Sequence, residues 1–312
     1  MAYKAFNTDF TCNGKQYEEN TTYEEIGNKI CEAGVMHYCE NPFDVLDYYP
    51  LVSENGEILE FAEVEPLGDV FKQENKSATN KLHIKAKLGL KGFIKACIDF
   101  TIEKTKIKEI ENGIENDNSN NYAQIGSSGD YAQIGSSGDS AKIGSSGDYA
   151  QIGSSGDYAQ IGSSGDSAKI GSSGYSAQIG SSGYSAKIGS SGYSAQIGSS
   201  GYSAQIGSSG DSAKIGSSGD SAKIGSSGDY AKITSSGKHS VVMAAGYESI
   251  AKAKIGSWIT LAEWVRTDDK DERGNYVWIP KCVKTEYVDG ERIKEDTFYE
   301  LVDGEFKEVE GK

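Results

Sequence analysis

A hydrophobic residue recurs every nine positions through the middle of the chain. Isoleucine occupies thirteen such positions from Ile125 to Ile233 without a slip. Each unit reads Ala-(Gln/Lys)-Ile-Gly-Ser-Ser-Gly followed by two variable residues. In an extended strand, the polar residue between Ala and Ile points away from the face that those two share. A strand this short buries nothing alone, so the pattern predicts a stack of strands.

Two nonapeptides, or about 18 residues, are expected to form each coil of a parallel β-solenoid, because a single unit is too short to enclose a core. The thirteen units then make about six and a half coils, and a strand spacing of roughly 4.8 Å gives a rod on the order of 30 Å long. The core should contain Ala and Ile alone. Gly-Ser-Ser-Gly is expected to form the turns, since Gly tolerates positive φ and Ser can cap backbone groups.

Two alternatives for the repeat tract are a helix and a disordered linker. A helix is disfavoured because two glycines per unit cost about 2 kcal/mol relative to alanine. Gly- and Ser-rich tracts are often flexible linkers, but the invariant Ala-x-Ile spacing argues against that interpretation.

The segment before the repeats, residues 1–118, is predicted to be a small α+β domain. Asn41-Pro42 is typical of the cap and first position of a short helix. Residues 81–88 alternate polar and apolar side chains, which predicts a half-exposed strand. Apolar residues from Leu90 to about Lys108 recur with helical spacing, which predicts a helix with one packed face.

The segment after the repeats, residues 243–312, contains two Val-Asp-Gly-Glu turn signals, at 288–291 and 302–305. These predict a small β-meander, whose expected role is to cap the open end of the solenoid. The predicted fold is therefore mainly β, with a solenoid over 119–242 between an α+β domain and a β cap.

The chain is acidic, with a net charge of −15. By segment the net charge is −9 over 1–118, −2 over 119–237 and −4 over 238–312. Direct binding to nucleic acid or to an anionic membrane is not expected, because no basic stripe is present. No signal sequence or long apolar run occurs, so a cytosolic protein is expected, unless it is carried into a particle. The five cysteines are expected to be reduced thiols.

Cys12, Cys31, His37 and Cys39 are the candidate metal ligands, because thiolates and imidazole can form a tetrahedral zinc site. Their spacing is looser than that of a zinc ribbon, and buried structural thiols are the main alternative. A Cys/His nucleophile is a further possibility. No other cofactor is indicated.

Tyrosine replaces aspartate after the second glycine in four consecutive units, at Tyr175, Tyr184, Tyr193 and Tyr202. These residues are a candidate surface for a protein partner or a glycan, although duplication of neighbouring units would give the same pattern. Calcium binding by the repeat is disfavoured, because a required carboxylate would not be missing from four units in a row.

Several stretches of the chain resemble phage- and prophage-encoded proteins that carry the DUF7666 domain. The stretches are KAFNTDFTCNGKQYE, CEAGVMHYCENPFDVLDYY, FAEVE, KLHIKAKL, GYESIAKAKIGSWITLAEW and VDGERIKEDTFYELVDGEF. The chain departs from the family in its Ser-Ser-Gly turns and in Val35-Met36-His37, where Gly-Phe-His is usual. The resemblance implies a phage context and a bacterial host cytoplasm, or attachment to the virion, and it implies no activity.

Three functional hypotheses follow. The first is a non-enzymatic structural or interaction protein, in which the solenoid holds the terminal domains at a fixed separation for binding a host or virion protein. The second is a host-directed inhibitor whose acidic N-terminal domain occupies a basic nucleic-acid or nucleotide site. The third is a nucleotide-handling enzyme in the N-terminal domain.

Overall fold

The computed structural model describes residues 1–28, 34–73, 75–104, 115–118 and 120–309. The N-terminal domain contains three small antiparallel sheets, ordered β1-β6-β9-β4, β5-β8-β7 and β2-β3. Its elements are β1 (Ala2–Phe6), β2 (Thr11–Cys12), β3 (Lys15–Gln16), β4 (Thr21–Glu24), β5 (Met36–Tyr38), the 3-10 helix η1 (Pro42–Asp47), β6 (Glu60–Pro66), β7 (Val70–Lys72), β8 (Ser77–Thr79), β9 (Lys81–Lys87) and α1 (Gly89–Lys104).

Both helices predicted for this domain are present, and the predicted end of the second, at about Lys108, lies outside the described residues. The Asn41 side chain caps η1 by accepting a hydrogen bond from the Phe43 backbone N–H at 3.1 Å. This helix is of the 3-10 type and ends at Asp47. In α1, the apolar side chains predicted to share one face are buried. Phe93 stacks on Phe61 of β6 with ring centroids 3.8 Å apart, which fixes the helix against the sheet.

The solenoid has about eight coils between residues 124 and 261. Each strand pairs in parallel with the strand two units further along the chain, so that Ile125 pairs with Ile143 and Ile134 with Ile152. Two sheets result, each with eight repeat strands: one contains the alternate strands from β10 (Glu115–Asn118) to β24 (Val241–Ala244), and the other those from β11 (Gln124–Ser127) to β25 (Ile250–Ala253). The predicted parallel solenoid, with two nonapeptides in each coil, is confirmed.

The repeat strands share the sequence (Gln/Lys)-Ile-Gly-Ser, apart from the first strand and the last three. They are β10 (Glu115–Asn118), β11 (Gln124–Ser127), β12 (Gln133–Ser136), β13 (Lys142–Ser145), β14 (Gln151–Ser154), β15 (Gln160–Ser163), β16 (Lys169–Ser172), β17 (Gln178–Ser181), β18 (Lys187–Ser190), β19 (Gln196–Ser199), β20 (Gln205–Ser208), β21 (Lys214–Ser217), β22 (Lys223–Ser226), β23 (Lys232–Ser235), β24 (Val241–Ala244) and β25 (Ile250–Ala253).

Two details of the predicted coil are wrong. The first glycine and first serine of each unit belong to the strand, and that serine points inward, so the core holds a rank of serines beside Ala and Ile. The positive φ of the turn falls on the second variable residue, such as Tyr131 or Ser185, with φ of 58° and 55°. The second glycine of the unit does not supply it and has a different role. A Cβ at Gly147 would lie 1.9 Å from the Gly129 carbonyl oxygen of the preceding coil.

The C-terminal segment closes the end of both sheets. Its strands are β26 (Trp258–Lys270), β27 (Tyr276–Tyr287), β28 (Tyr299–Val302) and β29 (Glu305–Glu308). The β26–β27 hairpin continues one sheet by pairing with β24, and the β28–β29 hairpin continues the other by pairing with β25. Regular coils therefore extend past residue 242, and Ile250–Ala253 forms a rung although it departs from the repeat sequence.

Candidate protein-binding face

Two ranks of residues face outward from each solenoid sheet. Because side chains alternate along a strand, inward Ala, Ile and Ser leave the Gln/Lys position and the first glycine on the outside. Parallel in-register pairing then stacks like on like, so Gly144 pairs with Gly162 and Lys169 with Lys187. Each outer face therefore carries a trough floored by glycines and bordered by a Gln/Lys rank.

The sheet of β11–β25 has its trough filled by the N-terminal domain, and we call its outer surface the covered face. Apolar side chains of α1 and of the segment before β6 lie over the glycine rank. A Cβ at Gly144 would lie 3.1 Å from the Ile98 Cα, and a Cβ at Gly180 would lie 3.1 Å from Ile94 Cδ1. Leu51 approaches Gly198 equally closely. Glycine is required here because it lets these side chains reach the strand backbone.

Acidic groups of the N-terminal domain contact the Gln/Lys rank of the covered face. Lys142 Nζ lies 2.5 Å from Asp44 Oδ1, and both side chains are largely buried. Gln160 Nε2 donates to Asp47 Oδ1 at 3.0 Å, and Lys214 Nζ lies 2.7 Å from Glu54 Oε1. Burial raises the pKa of the Asp44 carboxyl, and the hydrogen bond from Lys142 opposes that rise. The interface between the N-terminal domain and the covered face therefore combines an apolar stripe with ion pairs between carboxylates and lysines.

The N-terminal domain also reaches the C-terminal end of the solenoid. Glu57 Oε1 lies 2.9 Å from Lys252 Nζ on β25, and a Cβ at Gly56 would lie 3.6 Å from the Phe298 ring. The Lys252 ammonium lies 4.8 Å from the centre of that ring. The expected separation of the terminal domains by the rod is thus replaced by direct contact between them.

The sheet of β10–β24 has an open trough, and we call its outer surface the bare face. A Cβ at Gly153, Gly171, Gly189 or Gly207 would have no heavy atom within 4 Å. The trough has a volume of about 1260 Å³ and crosses at least seven strands, from Gln133 to Val241. Its floor is exposed strand backbone, since glycine provides no side chain to shield it.

The C-terminal end of the bare face is apolar. Val241 and Met243 stand where the repeat has Gln/Lys and glycine, and Trp258 follows on the next strand. These three side chains are 48%, 43% and 47% exposed. An exposed apolar cluster at the end of a long trough is typical of an interaction surface.

The two edges of the solenoid carry the variable residues. Where the first of these is aspartate, its carboxylate accepts a hydrogen bond from the backbone N–H of the equivalent residue in the next coil. The Asp148 N–H, for example, donates to Asp130 Oδ1 at 2.9 Å. Where it is tyrosine, this acceptor is replaced by ring stacking, with centroids 5.6 Å apart for Tyr175 and Tyr193. Aspartate therefore has a structural role in the turns.

The four tyrosines of the candidate partner surface lie on both edges. Successive units alternate between edges because each nonapeptide is half a coil. Tyr175 stacks with Tyr193 on one edge, and Tyr184 stacks with Tyr202 on the other with centroids 5.3 Å apart. The structure thus divides the predicted surface into two exposed pairs.

Three of the candidate zinc ligands, Cys12, His37 and Cys39, are described, and they do not form one cluster. Cys12 is buried, with its Sγ 3.0 Å from the Tyr49 hydroxyl, and Cys39 belongs to a different hydrophobic cluster. Cys31 lies outside the described residues, so the complete zinc site stays a prediction. Among the residues that are described, no group of three or more His, Cys, Asp or Glu is placed to hold a metal ion.

His37 and Cys39 line one small cavity of about 200 Å³. Burial lowers the pKa of His37, and the positive charges of Lys4 and Lys76 lower it further. Burial raises the pKa of the Cys39 thiol to about 12. The thiol is therefore protonated near neutral pH, which makes it a poor nucleophile.

Comparison with known proteins identifies the N-terminal part alone. Residues 1–96 match the family model of a domain of unknown function, DUF7666. The match ends within α1, so the solenoid and the C-terminal segment lie outside it. No curated protein and no solved structure matches the chain. None of the described helices is long and apolar enough to span a membrane.

Proposed function

We propose that this protein is a non-enzymatic, phage-encoded scaffold that binds a protein partner on its bare face. The observation that carries the proposal is that two surfaces of equivalent sequence differ in whether another part of the chain covers them. Strands β11–β22, which alternate between the two sheets, share the sequence (Gln/Lys)-Ile-Gly-Ser, yet only the covered face is packed against another part of the described chain.

The chemistry of the bare face supports a protein partner. Apolar and aromatic side chains at the Val241 end can supply a buried anchor, and the polar Gln/Lys rank can form the rim of an interface. The glycine floor lets a partner approach the strand backbone closely, as Ile98 does on the covered face.

The use of acidic groups inside the molecule favours this proposal over the inhibitor hypothesis. Asp44 and Asp47, which lie on the face of the N-terminal domain toward the solenoid, contact Lys142 and Gln160, and Glu54 contacts Lys214. The raised pKa of Cys39 similarly argues against a thiol nucleophile in the cavity that it shares with His37. The DUF7666 match is compatible with the resemblance to phage proteins, and we place the protein in the bacterial host cytoplasm or on the virion.

Site-specific photocrosslinking in cells that make the full chain tests the proposal. A benzophenone amino acid replaces Met243 on the bare face, and in a matched variant it replaces Tyr202 on a turn edge, where the native residue is already aromatic. We expect a discrete protein adduct from position 243 and none from position 202. Adducts from position 202 alone would move the binding site to the tyrosine edges, and no adduct from either position would refute the scaffold function.

A further inference from the structure

We infer that the bare face binds an amphipathic helix with an acidic flank, in the way that the covered face binds the N-terminal domain. This inference rests on the proposed function and names the class of partner. The covered face serves as a template, because its strands have the same sequence as those of the bare face.

The template shows how a helix fits the glycine trough. Leu90, Ile94 and Ile98 of α1 lie four residues apart and face the rank from Gly198 to Gly144. Eight residues of α-helix rise about 12 Å, and three coil spacings of about 4.8 Å make roughly 14 Å. A helix lying along the solenoid therefore spans four coils with three apolar side chains.

The bare face offers the same geometry without an occupant among the described residues. A side chain entering above Gly171, Gly189 or Gly207 meets open space, because no heavy atom lies within 4 Å of the point where a Cβ would stand. The exposed Val241, Met243 and Trp258 extend the apolar floor beyond the glycines. An occupant with isoleucine or leucine at every fourth position would bury this whole strip.

Charge selects an acidic helix. On the covered face, Lys142 and Lys214 are paired with carboxylates. On the bare face, Lys169, Lys187 and Lys223 stand in the same rank, are exposed, and form no ion pair with any described residue. Carboxylates along one flank of a docked helix would reproduce the pairing of the template, and such pairs steer partner choice and orientation.

A second copy of the chain fits this face less well. The apolar stripe of α1 and the carboxylates of η1 are already engaged with the covered face. Two bare faces packed together would bring their lysine ranks close, and like charges placed face to face oppose association. The occupant is therefore a helix of a different protein.

Two synthetic peptides, each long enough to form a helix of about 30 Å, test the inference with the full-length protein. Both are alanine-based helices with isoleucine at three positions spaced by four, and they differ only in carrying glutamate or lysine along one flank. Fluorescence anisotropy measures their binding to the native chain and to the double variant Lys169→Glu/Lys187→Glu. The variant Lys238→Glu, at an exposed turn, is the control for charge.

We expect the glutamate peptide to bind and the lysine peptide to bind at least about tenfold more weakly. The affinity of the double variant for the glutamate peptide should be lower by a similar factor, and the Lys238 variant should bind this peptide as tightly as the native chain does. Gly189→Phe, which fills the trough, should also abolish binding, with circular dichroism confirming that it folds. Equal affinity for the two peptides, or binding that the lysine reversals leave unchanged, would overturn the inference. If either of these results came together with a crosslink from position 243, the inferred helix would be wrong and the proposed scaffold function would still stand.

Discussion

Replacement of the second glycine of a repeat by alanine should disrupt the solenoid, whereas replacement of the first glycine on the bare face should not. A Cβ at Gly183 would lie 1.9 Å from the Gly165 carbonyl oxygen in the preceding coil. A Cβ at Gly189 would have no heavy atom within 4 Å. Gly183→Ala and Gly189→Ala thus make the same chemical change at nearby positions, with opposite steric consequences.

The cost of the Gly183 substitution follows from the displacement that it forces. Real Cβ contacts are essentially never shorter than 3.0 Å, so adjacent coils must separate locally by about 1.1 Å. Overpacking of this kind costs about 1–3 kcal/mol. The hydrogen bonds from the Ser182 N–H to the Ser163 carbonyl and from the Tyr184 N–H to Asp166 flank this site. Weakening both adds about 1–2 kcal/mol, for a total near 3 kcal/mol or more.

Urea and thermal unfolding followed by circular dichroism measure the difference. A loss of about 3 kcal/mol should lower the melting temperature by roughly 6–12 °C in a domain of this size. Gly189→Ala should stay within about 0.5 kcal/mol of the native chain. Midpoints are the quantity to compare, because repeat proteins can unfold in parts. Equal stability of the two variants would refute the stacking role assigned to the second glycine.

Three further predictions concern the core, the docked helix and a buried thiol. Ser181→Ala should leave the free energy of unfolding in urea unchanged or raise it, since the buried hydroxyl has no hydrogen-bond partner among the described residues. Ile179→Ala should lower it by about 2–5 kcal/mol. A large loss of stability in the serine variant would contradict this. Ile94→Glu should release α1 and speed hydrogen exchange on the covered face, whereas Lys95→Glu, on the exposed side of α1, should not. Cys39, with a pKa of about 12, should resist iodoacetamide at pH 8 in the native protein and react after unfolding in urea. Because alkylation requires the thiolate, whose fraction rises about tenfold per pH unit below the pKa, the rate at Cys39 should still be rising at pH values where an exposed thiol has reached its plateau. Rapid modification at pH 8 would show that the site is open.

The repeat sequence predicted the coil because the positions of Ala and Ile are determined by strand geometry. The same regularity concealed the difference between the faces. Gln151 and Gln160 lie in the same nine-residue sequence, DYAQIGSSG, yet Gln151 is exposed and Gln160 is buried under the N-terminal domain. A period of nine gives no indication of which alternate strands are covered. The apolar stripe of α1 was the one available signal, and its partner could not be identified from the stripe alone.

The turn differs from the sequence prediction because glycine has two different uses. Turn rules predict positive φ at glycine, but residues such as Tyr131 and Ser185, two positions after the second glycine of the unit, adopt it. The second glycine is instead required for close approach between coils, a contact with a distant part of the chain that local turn rules do not consider. The sequence likewise predicts one tyrosine surface because the four residues are evenly spaced along the chain, whereas successive units lie on opposite edges of the solenoid.

Cysteine accessibility tests most directly the central claim that one face is covered and the other bare. Gln151→Cys and Gln160→Cys place a thiol at the same point of the shared DYAQIGSSG sequence on opposite faces. Maleimide labelling of each variant, followed by mass spectrometry, compares them in the native and unfolded chain. The structure predicts rapid labelling at position 151 and labelling at least about tenfold slower at position 160 until the protein unfolds. Equal native rates at the two positions would contradict it.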